Sequence, residues 1–250
     1  MDGLKVLRNT QIIILGVCIV IATIISTLIL TKSLMQMKKF SNEVISVTGS
    51  AEKKIMSDYI VWRSEFSRQE PTLKLAYAAL QEDLTKVRSY LVSKGIKDEE
   101  IVVSPVETTI VYEKNEKGNN TNEIEGYLLC QQIEVRSYEV AKVDMVSRQS
   151  TEIIDQDVQF ISFAPEYFCT KLAELKLELL SKATENAKER ARQMTQATGN
   201  KIGLMRSARM GVFQITPVNS YEISWSGSSD TSSLEKKAMA VAHVDFAIAE

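Results

Sequence analysis

His243 is the single histidine of the chain, and Asp245 stands two residues further on. On a strand these two side chains share a face, so the carboxylate could orient the imidazole as a Ser–His–Asp arrangement requires. The third member is missing, because no serine is flanked by the glycines of a nucleophile elbow. His243 is therefore read as a buried or interface histidine. Cys130 and Cys169 form no C-x-x-C pattern, which removes the usual zinc and redox motifs and leaves two thiols expected to be unpaired. They could pair if the domain is exported. Asp155 and Asp157 flank Gln156 without the central glycine of a calcium loop, and Asp98, Glu99 and Glu100 read as a solvated turn. Gly227 stands alone among serines, so no phosphate-binding loop is present. No catalytic, cofactor-binding or metal-ligating residue is assigned, and no cofactor is expected.

Two aromatic residues remain as candidate interface or ligand contacts. Trp225, with Tyr221 nearby, lies in a serine-rich stretch (219–234) where a large apolar ring has little local reason to be. It either anchors a contact or folds back on its own domain. Trp62 sits in an alternating segment and is expected in the core.

Composition narrows the partners. The formal net charge is −2, and the chain beyond its first residues stays weakly acidic. Nucleic acid is excluded as a main partner, since neutralising phosphates takes clustered Lys and Arg. Hydrophobic residues make up 44% and charged ones 25%, as in an ordinary globular protein, and against that background the uncharged run 12–30 stands out. As a helix rising ~1.5 Å per residue it would span about 28 Å, close to the hydrocarbon core of a bilayer. A cleaved signal peptide has a shorter apolar region and a small-x-small site, absent here. A core helix would carry a polar stripe. The expected organisation is a short cytoplasmic N-terminus (1–11), a transmembrane anchor (12–31), a stalk (32–43) and one domain (44–250). Lysines and arginine flank both sides of the anchor, so the positive-inside rule leaves the orientation open.

The elements follow from periodicity. Residues 43–49 and 58–67 alternate as strands, with a polar break at 51–57. From Pro71 a helix is expected, with Leu73, Tyr77, Leu80, Leu84, Val87 and Leu91 on its apolar face and the charges elsewhere. Residues 101–112 and 124–137 read as strands joined by a polar hairpin loop, 113–123, with Pro105 marking an edge or bulge. A shorter helix at 138–150 and a strand at 157–163 follow. The longest helix of the domain, 170–198, carries Leu172, Leu175 and Leu179, then Ala183, Ala187, Ala191 and Met194. Alanines four apart make a smooth strip that lets a helix lie close to a sheet. Strands at 201–215 and 237–248 close the chain around a loop, 219–234. The layout is α+β: duplicated strand–helix–strand–strand units, 58–137 and 157–248, with long helices on antiparallel sheets.

The segment ATENAKERARQMTQATGNKIGLMRSARMG, with Ala183, Ala187, Ala191, Ala197, Gly199, Gly203 and Leu204, resembles the signature of the SIMPL-domain family. VISVTGSAEKKIMSD and SKGIKDEEIVVS resemble that family's opening strand and its helix–glycine–strand junction. The resemblance implies an exported α+β protein, periplasmic or on the cell surface, often forming ring-like homo-oligomers, with no established enzymatic activity. It also tips the orientation, placing the domain outside the cytoplasm. The expected function is a non-enzymatic, membrane-anchored envelope protein that self-assembles into a homo-oligomer. The alternative is a binding module that holds a small molecule or peptide in a cleft between the repeats, and a hydrolase is the least favoured.

Overall fold

The computed structural model describes residues 16–35, 43–220 and 227–249. The first element is α1 (Gly16–Met35), a helix long and apolar enough to cross a membrane by length and composition. It begins inside the expected run, whose residues 12–15 lie outside the described residues. The hydroxyls of Thr23 and Thr27 donate to the carbonyls of Val20 and Thr23, so these polar groups are satisfied within the helix.

The domain has mixed α+β architecture with antiparallel pairing. Its elements are β1 (Val44–Met56), β2 (Tyr59–Glu70), α2 (Leu73–Ser93), β3 (Ile101–Val103), β4 (Glu107–Lys114), β5 (Asn120–Ser137), α3 (Val140–Gln149), β6 (Gln159–Ser162), β7 (Glu166–Phe168), α4 (Leu172–Ala197), β8 (Lys201–Met210), β9 (Gln214–Pro217) and β10 (Glu235–Ala249). They form two compact units. The first holds the described parts of Met1–Ser50, Leu180–Gly211 and Val241–Glu250; the second holds Ala51–Leu179 and Val212–Ala240.

In the first unit, β10 pairs antiparallel with β8, and β1 lies on β10's other side. The inward face is built from small residues. Ala183, Ala187 and Ala191 of α4 are fully buried, as are Ala242 and Val244 of β10. Gly49 of β1 lies against α4 so closely that a Cβ there would stand 2.1 Å from the Ala183 carbonyl oxygen. The alanine strip thus meets a strand that also lacks side-chain bulk. Met194 is exposed, and Thr195 is buried instead, its hydroxyl bonded back to the Ala191 carbonyl at 3.0 Å.

In the second unit the strand order is β3-β5-β2-β6, with β4 also on β5 and β7 also on β2. Trp62 and Phe66 of β2, Leu80, Val87 and Leu91 of α2, Ile133 and Val135 of β5 and Val143 of α3 form one fully buried cluster. Burying each such side chain stabilises by about 1.5–3 kcal/mol before entropy is counted. Trp62 keeps its polar edge satisfied, Nε1 donating to Ser162 Oγ at 3.1 Å. Both long helices end on glycines of positive φ, Gly95 at 85° and Gly199 at 77°.

Several expectations change. The 51–57 break does not exist: β1 runs on to Met56. Its polar residues suit a strand with one open face, and Lys53 pairs with Glu178 at 2.7 Å. Leu73 and Tyr77 are exposed, while Ala76, Asp83 and Tyr90 turn inward, because the helix axis settles on the sheet about one position round from the leucine stripe. The 101–112 strand divides at Pro105 into β3 and β4, both on β5, since proline offers no N–H to the ladder. The 201–215 strand divides near Gly211 into β8 and β9. β6, read as the start of the second repeat, pairs with β2, as does β7; β1 takes the place beside β10.

Candidate functional site

The first unit presents a polar ladder on the sheet face opposite α4. Even positions of β1 (Ser46, Thr48) and odd positions of β10 (His243, Asp245) point outward, since Val47, Gly49, Ala242 and Val244 are taken inward. Asp245 accepts hydrogen bonds from Ser207 and Ser46, the latter at 2.6 Å. These two hydroxyls, Ser207 first, hold its carboxyl below the usual carboxylate range. His243 Nδ1 lies 3.0 Å from Thr48 Oγ1. The imidazole and the carboxylate therefore have separate partners and do not assemble a triad. His243 is exposed, not buried, because position 243 has the outward parity of β10.

The second unit has a cleft of about 560 Å³ between the end of β1 and the start of α4. Some of its charged groups are engaged by neighbours. Lys53 pairs with Glu178, and Asp58 accepts from the Thr170 amide at 2.7 Å and hydroxyl at 2.8 Å, fixing the entry to α4. Cys169, on the wall, has its Sγ 3.7 Å from the Met56 carbonyl oxygen. Cys130 and Cys169 are free thiols, and burial pushes the Cys130 thiol up.

Lys236 went unnoticed in the sequence. It is only 2% exposed, and its Nζ donates to the carbonyls of Tyr167, at 2.6 Å, and Asp230. Burial lowers its pKa. It ties the later part of the serine-rich loop to β7, so residues 228–234 are held in place. The available signal was parity: position 236 falls on the same face of β10 as Ala238 and Ala240.

A smaller cleft of about 360 Å³ holds Asp144, Arg148 and Tyr167. The Tyr167 hydroxyl donates to Asp144 Oδ1 at 2.6 Å. Burial, then the Asp144 carboxylate, push the Tyr167 pKa up to about 12. Burial alone would raise Asp144, but Tyr167 and Arg148 outweigh it and hold it low. A phenol whose folded pKa exceeds its unfolded value of about 10 contributes stability that is intact below pH ~10 and lost as pH rises toward about 12. An alkaline titration followed by ultraviolet absorbance is expected to show a tyrosine ionising at about 12, and Tyr167→Phe to remove both that step and its share of the alkaline stability loss.

Among the described residues, β8 carries the most exposed large apolar side chain. Leu204 is 79% exposed and Met210 68%, with Met205 also open, and β8 has β10 as its one sheet neighbour among the described residues. Lone exposed apolar residues are ordinary, whereas several on one strand stand out. Tyr221 and Trp225 lie outside the described residues. No three His, Cys, Asp or Glu side chains converge as a metal site among the described residues.

A family model described as "SIMPL: Protein of unknown function (DUF541)" matches residues 45–248. No curated protein matches the chain. Among solved structures, the crystal structure of an amidase of the hydantoinase/carbamoylase family from Burkholderia phymatum is similar at a TM-score of 0.30 and 8% identity over 53% of this chain. The chain spans 35% of the length of that one, and a likeness this slight says nothing about activity.

Proposed function

The chain belongs to the SIMPL family, and from that premise we propose that it is a non-enzymatic protein of the cell envelope, held to the membrane by α1, whose domain assembles into a homo-oligomer outside the cytoplasm. The single observation that carries the assembly is β8, a strand with β10 as its one sheet neighbour among the described residues, bearing the exposed Leu204, Met205 and Met210. Exposed apolar side chains gathered on one strand favour contact with another copy. The anchor reading rests on the length and apolar character of α1, and the envelope location on family membership. Such an arrangement needs no reaction centre, and Ser46, Ser207 and Asp245 of the ladder and Asp144, Arg148 and Tyr167 of the smaller cleft bond to one another.

The test is the mass of the full chain in detergent. Light scattering coupled to size exclusion at micromolar concentration is expected to give a multiple of 28.0 kDa after subtracting detergent. A clean monomer overturns the assembly. A second reading, a binding module, is favoured by the larger cleft, whose volume lies in the range of small-molecule sites. A monomer whose unfolding temperature rises with a fraction of envelope extract would support that reading instead.

A further inference from the structure

We propose that the cleft between the end of β1 and the start of α4 binds a small organic anion, its head held by Lys54 and Lys171 and its apolar body lying along Ile55, Met56 and Leu175. This rests on the binding reading and names the class of ligand. It uses no residue of β8, so it stands or falls apart from self-assembly.

The walls follow from the sequence spacing. Lys171, Glu174, Leu175 and Glu178 recur at i, i+3, i+4 and i+7, so one face of the first turns of α4 lines the cleft. The end of β1 lines the other side with Lys53, Lys54, Ile55 and Met56. Ile55 and Leu175 are half-buried and pack against the core cluster of Leu179, Ala238 and Ala240. The floor is therefore apolar and anchored, and the exposed Met56 extends it. A volume of about 560 Å³ suits a small molecule.

The charges select the ligand. Three basic and three acidic side chains line the cleft. Lys53 is paired with Glu178 at 2.7 Å, and Asp58 accepts from the Thr170 amide and hydroxyl. The side chains of Lys54, Lys171 and Glu174 have no ion pair or hydrogen bond among the described residues. The charge left over is thus two ammonium groups against one carboxylate. Both lysines are exposed, so their apolar stems extend the walls while the ammonium groups stay hydrated at the mouth. An anion there gains two favourable Coulomb interactions for one unfavourable, and a cation the reverse. A neutral apolar molecule meets the floor alone.

Cys169 lies on the cleft wall and serves as the reporter. Cys18→Ser with Cys130→Ser leaves it as the one thiol of the full chain. In non-ionic detergent, iodoacetamide alkylates Cys169 and hexanoate is the probe. Hexanoate at twice its half-saturating concentration is expected to slow alkylation about threefold. Hexylamine and hexan-1-ol at that concentration are expected to leave the rate unchanged. Lys54→Gln with Lys171→Gln is expected to abolish the protection without moving the unfolding temperature, and Glu174→Gln to strengthen it. An effect of hexanoate on the micelle would survive the lysine changes. Protection that survives them, protection by hexan-1-ol or hexylamine equal to that by hexanoate, or no saturable protection by hexanoate overturns the anion site. Each of these leaves the assembly reading standing, because the oligomer mass is measured separately.

Discussion

Gly49→Ala is expected to destabilise the first unit by about 3 kcal/mol or more, beyond what overpacking a side-chain core usually costs. A Cβ at this position would lie 2.1 Å from the Ala183 carbonyl oxygen, 2.4 Å from the Ala187 amide nitrogen and 2.7 Å from the Ala187 Cβ. The obstacle is helix backbone, which cannot rotate away as a side chain would. Relief requires β1 to part from α4, opening a void along Ala183, Ala187 and Ala191, all fully buried. Next to it, Arg190 Nη1 donates to the Thr48 carbonyl at 3.0 Å and the Ser50 amide to Asn186 Oδ1 at 3.2 Å, and both bonds stretch if the strand shifts. Urea unfolding of the full chain in detergent checks this, with Ser50→Ala, an exposed neighbour, expected to stay within about 0.5 kcal/mol. A Gly49→Ala midpoint equal to wild type would mean that the strand and helix are not this close.

Asp83→Ala is expected to cost about 3 kcal/mol, because it takes from the half-buried Arg68 guanidinium the buried carboxylate that holds it and leaves only Asp157, 3.8 Å away, as a counter-charge. Asp83 is fully buried on the inner face of α2. Arg68 of β2 grips it with two donors, Nε to Oδ2 and Nη2 to Oδ1, the second at 2.9 Å, and Nη2 also reaches the Asp157 carbonyl. Lys86 stands 3.7 Å from Asp83, one turn along the helix. The pair is bidentate and shielded, so the loss should change little between low and high salt, unlike that of a surface ion pair. Replacing both partners together, Arg68→Met with Asp83→Leu, is expected to recover most of the loss, since no unpaired charge remains. Chemical denaturation of the two single variants and the double one measures the coupling; additive losses would mean that the two charges do not depend on each other.

Much of the architecture was legible along the chain. The alternation of β2 and β10, the stops at Gly95 and Gly199, the alanine strip of α4 and the family itself were all readable from local pattern. The miscounted faces share one cause. Hydrophobic periodicity assumes that charge points outward, so it set Asp83 outside α2, although its partner lies fifteen residues earlier on another strand. It likewise passed over Lys236, whose parity on β10 was plain but whose two carbonyl partners come from β7 and the serine-rich loop. His243 was expected to be buried or at an interface for want of a catalytic partner, and the outward parity of β10 leaves it exposed beside Thr48.

The sequence by itself determined the order and type of the longer elements, the apolar N-terminal helix and membership of the SIMPL family. Those depend on the spacing of side chains along one segment and on motifs within it. Only the tertiary structure decided that β1 joins β10 while β6 joins β2, that Gly49 is the residue the alanine strip meets, and that β8 has β10 as its one sheet neighbour among the described residues. Each of these is a choice among strands with similar local patterns. It is settled by which pairing buries the most apolar surface and leaves the fewest backbone groups unmet, a sum over residues far apart in the chain.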